Sequence, residues 1–120
     1  MPYAVAAKNV MLDQLGTVAV YLSVHDANPG STGTNEASGS VRGAITWNTA
    51  SGGFKTQSNT PAVTAIPNAF VVRYVGLWSA STGGTYYGYQ AVSTTSTVTA
   101  GTWTYTATTG QIDLNAVASA

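Results

Sequence analysis

The chain has 120 residues, 44% hydrophobic and 7% charged, with no cysteine and a formal net charge of zero. That length suits one domain, and the charge lies far below the roughly 25% of an ordinary soluble domain, so the surface is built from Thr, Ser, Asn, Gln and Gly. This balance excludes a disordered chain, which pairs low hydrophobicity with high charge. The scattered Lys8, Arg42, Lys55 and Arg73 exclude a phosphate-binding stripe and hence nucleic acid, and no disulfide or zinc–thiolate site can form.

The N-terminal segment MPYAVAAKNVMLDQLG lacks a cationic leader region and carries Asp13, so it reads neither as a signal peptide nor as a membrane span. Its apolar residues Val5, Ala6, Val10, Met11 and Leu15 recur at helical spacing, which predicts a helix over 3–15 that Gly16 stops. From Thr17 to His25 the period changes to two, as in a half-buried strand. Asp26 to Gly39, DANPGSTGTNEASG, is a long loop by composition. Alternation returns over Val41–Asn48, with Val41, Ile45 and Trp47 as the inward set, and TASGG (49–53) is a turn. Phe54–Ser58 and Ala62–Ile66 read as strands, with Pro61 marking an edge or a strand start.

FVVRYVGLWS (70–79) is the most apolar run and reads as a central strand, with Arg73 its one charge. STGG (81–84) turns the chain into a strand over Thr85–Val92. The Thr-rich remainder predicts strands over 97–100, 102–108 and 112–114, with a turn at Thr109-Gly110. About eight short strands with frequent turn signals define an all-β antiparallel sandwich or jelly-roll-like domain with a short N-terminal helix. Residues 1–120 are read as a single domain, with strands over about 17–114 and a short C-terminal tail.

The chemistry available to such a domain is sparse. A nucleophilic triad would need His25, Asp26 and a serine, but neighbouring strand residues face opposite ways and no GxSxG elbow is present. Glycoside cleavage needs two carboxylates about 5–10 Å apart. Only Asp13, Asp26, Glu36 and Asp113 exist, two of them in one loop. That loop also gathers Asp26, Asn28, Asn35 and Glu36, oxygen donors that suit calcium, but the spacing is not that of an EF-hand loop. A self-bonded loop explains them, and His25 reads as a hydrogen-bonded residue at a strand end. The chain is therefore expected to have no catalytic residue, no metal and no cofactor, and not to be an enzyme. Tyr86, Tyr87 and Tyr89 carry two readings: sheet packing, with Trp103 and Tyr105 as same-face partners, or an exposed aromatic platform for carbohydrate or protein.

The stretch VYLSVHDANPGSTGTNEASGSVRGAITWNTASGG resembles a family of short virion proteins of tailed bacteriophages, especially those of actinobacterial hosts. The elements that carry the likeness are Leu22, His25, Pro29-Gly30, Gly33, Asn35-Glu36, Arg42 and Trp47, followed by VVRYVGLWSASTGGTYYGYQ. It runs from Ala6 to Leu114, and it departs between Gly39 and Arg42, where relatives carry more residues. The resemblance implies a structural protein labelled tail fibre or minor tail, with capsid decoration also compatible. Expected partners are other phage capsid or tail proteins, further copies of the chain in a homo-oligomer, and a host surface glycan. The alternative function is a carbohydrate-binding module for host recognition. Neither nucleic acid nor membrane is expected as a partner, and the location is the virion, assembled in the host cytoplasm without a signal peptide. Asn35, Glu36 and Arg42 are expected to tie the long loop to its sheet, because carboxylate and guanidinium form strong charge-assisted bonds.

Overall fold

One helix and eight strands are formed by residues 4–105 and, for the backbone, 111–113, which the computed structural model describes. The helix, α1, spans Val5–Val18, and Ala6, Ala7, Lys8, Met11, Leu12, Gln14 and Leu15 are its good helix formers. It starts after an extended Ala4 without a side-chain cap and ends where the Ala19 N–H reaches the Leu15 carbonyl at 2.8 Å.

Two expectations about this segment are corrected. Gly16 lies inside the helix rather than ending it. A Cβ there would sit 2.4 Å from Lys55 Cε and 3.3 Å from Trp47 Cδ1, so the glycine permits close approach to the sheet. Nor is the buried face the expected stripe: Leu12 is fully buried, whereas Val5 is 52% and Val10 70% exposed. The face that docks is partly polar, with Asn9 Oδ1 accepting the Gly53 N–H and Asp13 Oδ1 accepting the Ala50 N–H.

The main sheet has the order β2-β1-β5-β6, all antiparallel, from β1 Tyr21–His25, β2 Gly43–Ala44, β5 Phe70–Trp78 and β6 Tyr86–Val98. Two ribbons complete a sandwich-like arrangement: β3 Phe54–Thr56 with β8 Gln111–Asp113, and β4 Ala62–Val63 with β7 Trp103–Thr104. The buried side chains form one cluster centred on Leu12, Leu22, Ile45, Val63, Val72 and Tyr105.

β5 is central as expected, and Pro61 immediately precedes β4. β1 starts at Tyr21, four residues later than Thr17, because the helix runs on. It is also buried on both faces rather than half-buried, since Ser23 and His25 lie under the 26–39 loop. The expected strand over 41–48 is reduced to two residues. Its backbone changes partner along its length: Val41 bridges Thr64, Gly43 and Ala44 pair with β1, and Trp47 bridges Gln57. Ile45 is buried as predicted, but Val41 is 53% exposed. Residues 85–92 and 97–100, read as separate strands, belong mostly to the single β6, whose register with β5 shifts twice. The helix start at Tyr3, the end of the 102–108 segment, the Thr109-Gly110 turn and Leu114 fall outside the described residues.

Candidate functional site

His25 closes β1, and its strand neighbour two residues back, Ser23, faces the same side of the sheet. Both are fully buried. The Thr34 carbonyl, which can only accept, lies 2.7 Å from His25 Nδ1, so the ring proton sits on Nδ1. Nε2 is then an acceptor for the Ser23 hydroxyl at 2.7 Å, and Ser23 Oγ in turn accepts the Trp78 indole N–H at 2.8 Å. Gly76 stands opposite Ser23 in the sheet, and a Cβ there would lie 2.6 Å from Ser23 Oγ and 2.8 Å from His25 Nε2. Burial pushes the His25 pKa below its ordinary value and outweighs the Thr34 hydrogen bond, so the ring is held neutral. The geometry is that of a serine–histidine pair, but sealed from solvent. Asp26 is exposed while His25 is buried, so the two do not combine.

Trp78 is the centre of a second group. Arg42 stacks over its ring with the guanidinium carbon 3.7 Å from the centroid. The same guanidinium bonds both carboxylate oxygens of Glu36, at 2.8 and 3.0 Å, and reaches the carbonyls of Ala80 at 3.0 Å and Gly83 at 2.8 Å. Arg42 thus joins the loop to the β5–β6 turn. Asn35 contributes differently from Glu36 and Arg42. It takes a left-handed backbone, φ 65°, and its amide donates to the Asn28 carbonyl at 3.1 Å within the loop.

The three tyrosines of β6 divide between faces. Tyr86 packs on Trp78 with ring centroids 5.0 Å apart and donates its hydroxyl to the Gly30 carbonyl, while burial and the neighbouring Tyr89 push its pKa up to about 12. Tyr89 packs edge-on against Tyr74 and its hydroxyl accepts from Asn28 Nδ2 at 3.3 Å. Tyr87 is half-buried against the core. Trp103 and Tyr105 pack on each other at 5.7 Å. The β6 tyrosines therefore serve as props for the 26–39 loop and the core. Arg73 leaves the sheet toward solvent and donates to the Asp26 carbonyl at 3.1 Å.

A third group was not singled out from the sequence, because its members lie far apart in the chain. Asp13 from α1, Trp47 and Asn48 from the segment after β2, and Lys55 from β3 line one cleft of about 290 Å³. Lys55 is buried, and its ammonium bonds Asp13 Oδ1 at 2.7 Å and the Asn48 carbonyl at 2.9 Å. That hydrogen bond first, and the Ala50 N–H second, hold the Asp13 carboxyl below its usual pKa. The Trp47 indole is fixed by donation to the Ala19 carbonyl at 2.9 Å, and the Asn48 amide by donation to Thr56 Oγ1 and the Gln57 carbonyl. The signal available beforehand was Asp13 standing within the apolar stretch of the N-terminal segment.

The structure is thus a small, mostly antiparallel β fold in which Ser23 and His25 are buried and bonded to each other. Over residues 8–115 the chain matches a family model described as podophage GP4 fiber I protein gp80. The chain belongs to that family of phage fibre proteins. No match is found among curated proteins or among solved structures.

Proposed function

We propose that the chain is a non-catalytic accessory module on the outside of a phage particle, contributing to a fibre and contacting other phage structural proteins and further copies of itself. The observation that carries this reading is the family match across residues 8–115. The structure supports it in two ways. The groups best suited to catalysis, Ser23 and His25, are fully buried and bonded to each other. The exposed surface is poor in charge and leaves Val5 and Val10 of α1 uncovered, as suits faces that an assembly hides. Phages of actinobacterial hosts are the first place to look, on the strength of the sequence resemblance.

The test is quantitative mass spectrometry of purified particles with immunogold labelling. A fibre or tail-tip module appears at three to about a dozen copies, set by the symmetry of the tail. Hundreds of copies would assign it instead to decoration of the capsid, and absence from purified particles would remove the virion reading. Incubation with host envelope polysaccharide is expected to release no new reducing ends.

A further inference from the structure

From the cleft between α1 and the strand-like segment that follows β2, we infer a binding site for one ring of a neutral pyranose sugar. A pyranose presents an apolar C–H face and a rim of hydroxyls, so its site needs an aromatic surface beside fixed hydrogen-bonding groups. The cleft sets Trp47 beside Asp13, Asn48 and Lys55, with Thr17 and Thr49 on its walls. Its volume of about 290 Å³ lies at the small end of ligand sites, which run from roughly 300 to 1,000 Å³ and suit drug-sized molecules.

The polar groups are held in place and still retain bonding capacity. Asp13 meets its protein partners through Oδ1, which leaves Oδ2 to accept from ligand hydroxyls. Asn48 uses both amide hydrogens internally and keeps Oδ1. Lys55 uses two of its three N–H bonds. Trp47 is locked by its own N–H bond, so little side-chain entropy is lost when a ring stacks on it. The helix also gives up a Cβ at Gly16, which would press on Lys55 and Trp47.

The charges select the ligand class. Asp13 stays ionised because its pKa is lowered, and it is paired with Lys55, so the cleft carries no net charge for an anionic sugar to answer. The β6 tyrosines face other groups and take no part. This site goes beyond the fibre reading and does not depend on it.

Saturation-transfer NMR of the whole chain with D-glucose, D-galactose, D-mannose, L-rhamnose, N-acetylglucosamine and D-glucuronate tests the assignment. At least one neutral sugar should receive saturation and shift the Trp47 indole N–H resonance. Thr49→Arg places a long cation in the cleft from an exposed position on its wall, and should weaken that binding about tenfold while leaving the thermal midpoint near wild type. Trp47→Phe should weaken it less. Retention on isolated host envelope polysaccharide identifies a surface glycan as the source, and response to free sugar alone identifies a soluble one; either supports the cleft. No transfer from any neutral sugar, unchanged binding in Thr49→Arg, or preference for glucuronate would overturn it. Because particle location is measured separately, failure here leaves the fibre reading untouched.

Discussion

His25 couples protonation to folding through the direction of its hydrogen bonds. In the folded chain Nε2 must accept from Ser23, whose oxygen already receives the Trp78 N–H. Protonating Nε2 turns that acceptor into a donor and leaves the Ser23 hydroxyl hydrogen without its partner. The folded pKa is lowered from the ordinary 6.5, so in the window below 6.5 the unfolded chain binds the proton more readily. Stability is therefore fully present above about pH 6.5 and is lost as pH falls through the lowered value. A thermal midpoint that drops across this range, and a flatter profile in His25→Gln, is the expected result. Asp13 acts lower, because its pKa is held below 3.8 and its contribution fades only under that value. The two limbs are thus separable by pH.

Arg42 offers a second residue-scale test. Its side chain is 8% exposed and bonds Glu36, Ala80 and Gly83 while stacked on Trp78. Arg42→Ala should cost about 3 kcal/mol, because it leaves the half-covered Glu36 carboxylate and two carbonyls without their donor. Arg42→Lys should recover less than half of that, since an ammonium provides neither the paired bonds to the carboxylate nor the planar stack. Glu36→Ala should cost less than Arg42→Ala, because the guanidinium keeps its carbonyls and Trp78. Urea unfolding measures all three. Equal stability of Arg42→Ala and wild type would mean that the loop is not tied at this point.

At the scale of elements, glycines decide where the layers can touch. Gly33 crosses over Trp78 with φ +77°, and a Cβ would lie 2.6 Å from the indole. Gly39, in the same loop, has φ +74° with nothing within 4 Å. Gly39→Ala should therefore cost only the left-handed backbone, about 1 kcal/mol, whereas Gly33→Ala adds a clash with a pinned ring and should cost about 3 kcal/mol. A difference below about 1 kcal/mol in urea unfolding would show that the loop lifts off Trp78 easily.

The same packing explains which elements were legible in the sequence. The apolar run 70–79 could only be a central strand, and it is one. The alternation of 41–48 was read correctly at Ile45, but a period of two does not reveal that the segment changes partner at Val41, Gly43 and Trp47. Local rules make Gly16 a helix stop because they see only the helix, whereas the glycine makes room for Lys55 and Trp47, more than 30 positions away in the chain. The expected strands over 85–92 and 97–100 leave out the Ser/Thr residues between them, yet Thr is β-branched and β6 runs on through them to Val98. Of the sites, the Glu36–Arg42 tie was legible because both charges lie close together in a charge-poor chain. The Asp13–Trp47–Lys55 cleft was not, since only the fold brings α1 onto β3.

For the whole molecule, the order β2-β1-β5-β6 places the long β6 last among the described strands of the main sheet. β6 runs for 13 residues, YYGYQAVSTTSTV, with no charge and no proline, and among the described residues no strand lies on its outer side. Natural edges are blunted by lysine, proline or shortness, and β2 at the opposite edge is short. The Thr94–Thr97 end of β6 is exposed and is rich in hydroxyls that do not repel a second copy. We therefore expect the chain to associate with itself by edge-to-edge pairing of β6. Light scattering behind size exclusion should show a mass that rises with concentration and changes little with salt, since few charges take part. Thr95→Lys should shift the chain toward monomer without lowering its thermal midpoint by more than a few degrees. A second variant, Val10→Lys on the exposed helix face, distinguishes the surfaces: if it alone yields monomer, the contact runs through α1 and the β6 edge is left for a different fibre component. A chain that stays monomeric at every concentration would count against pairing through either surface.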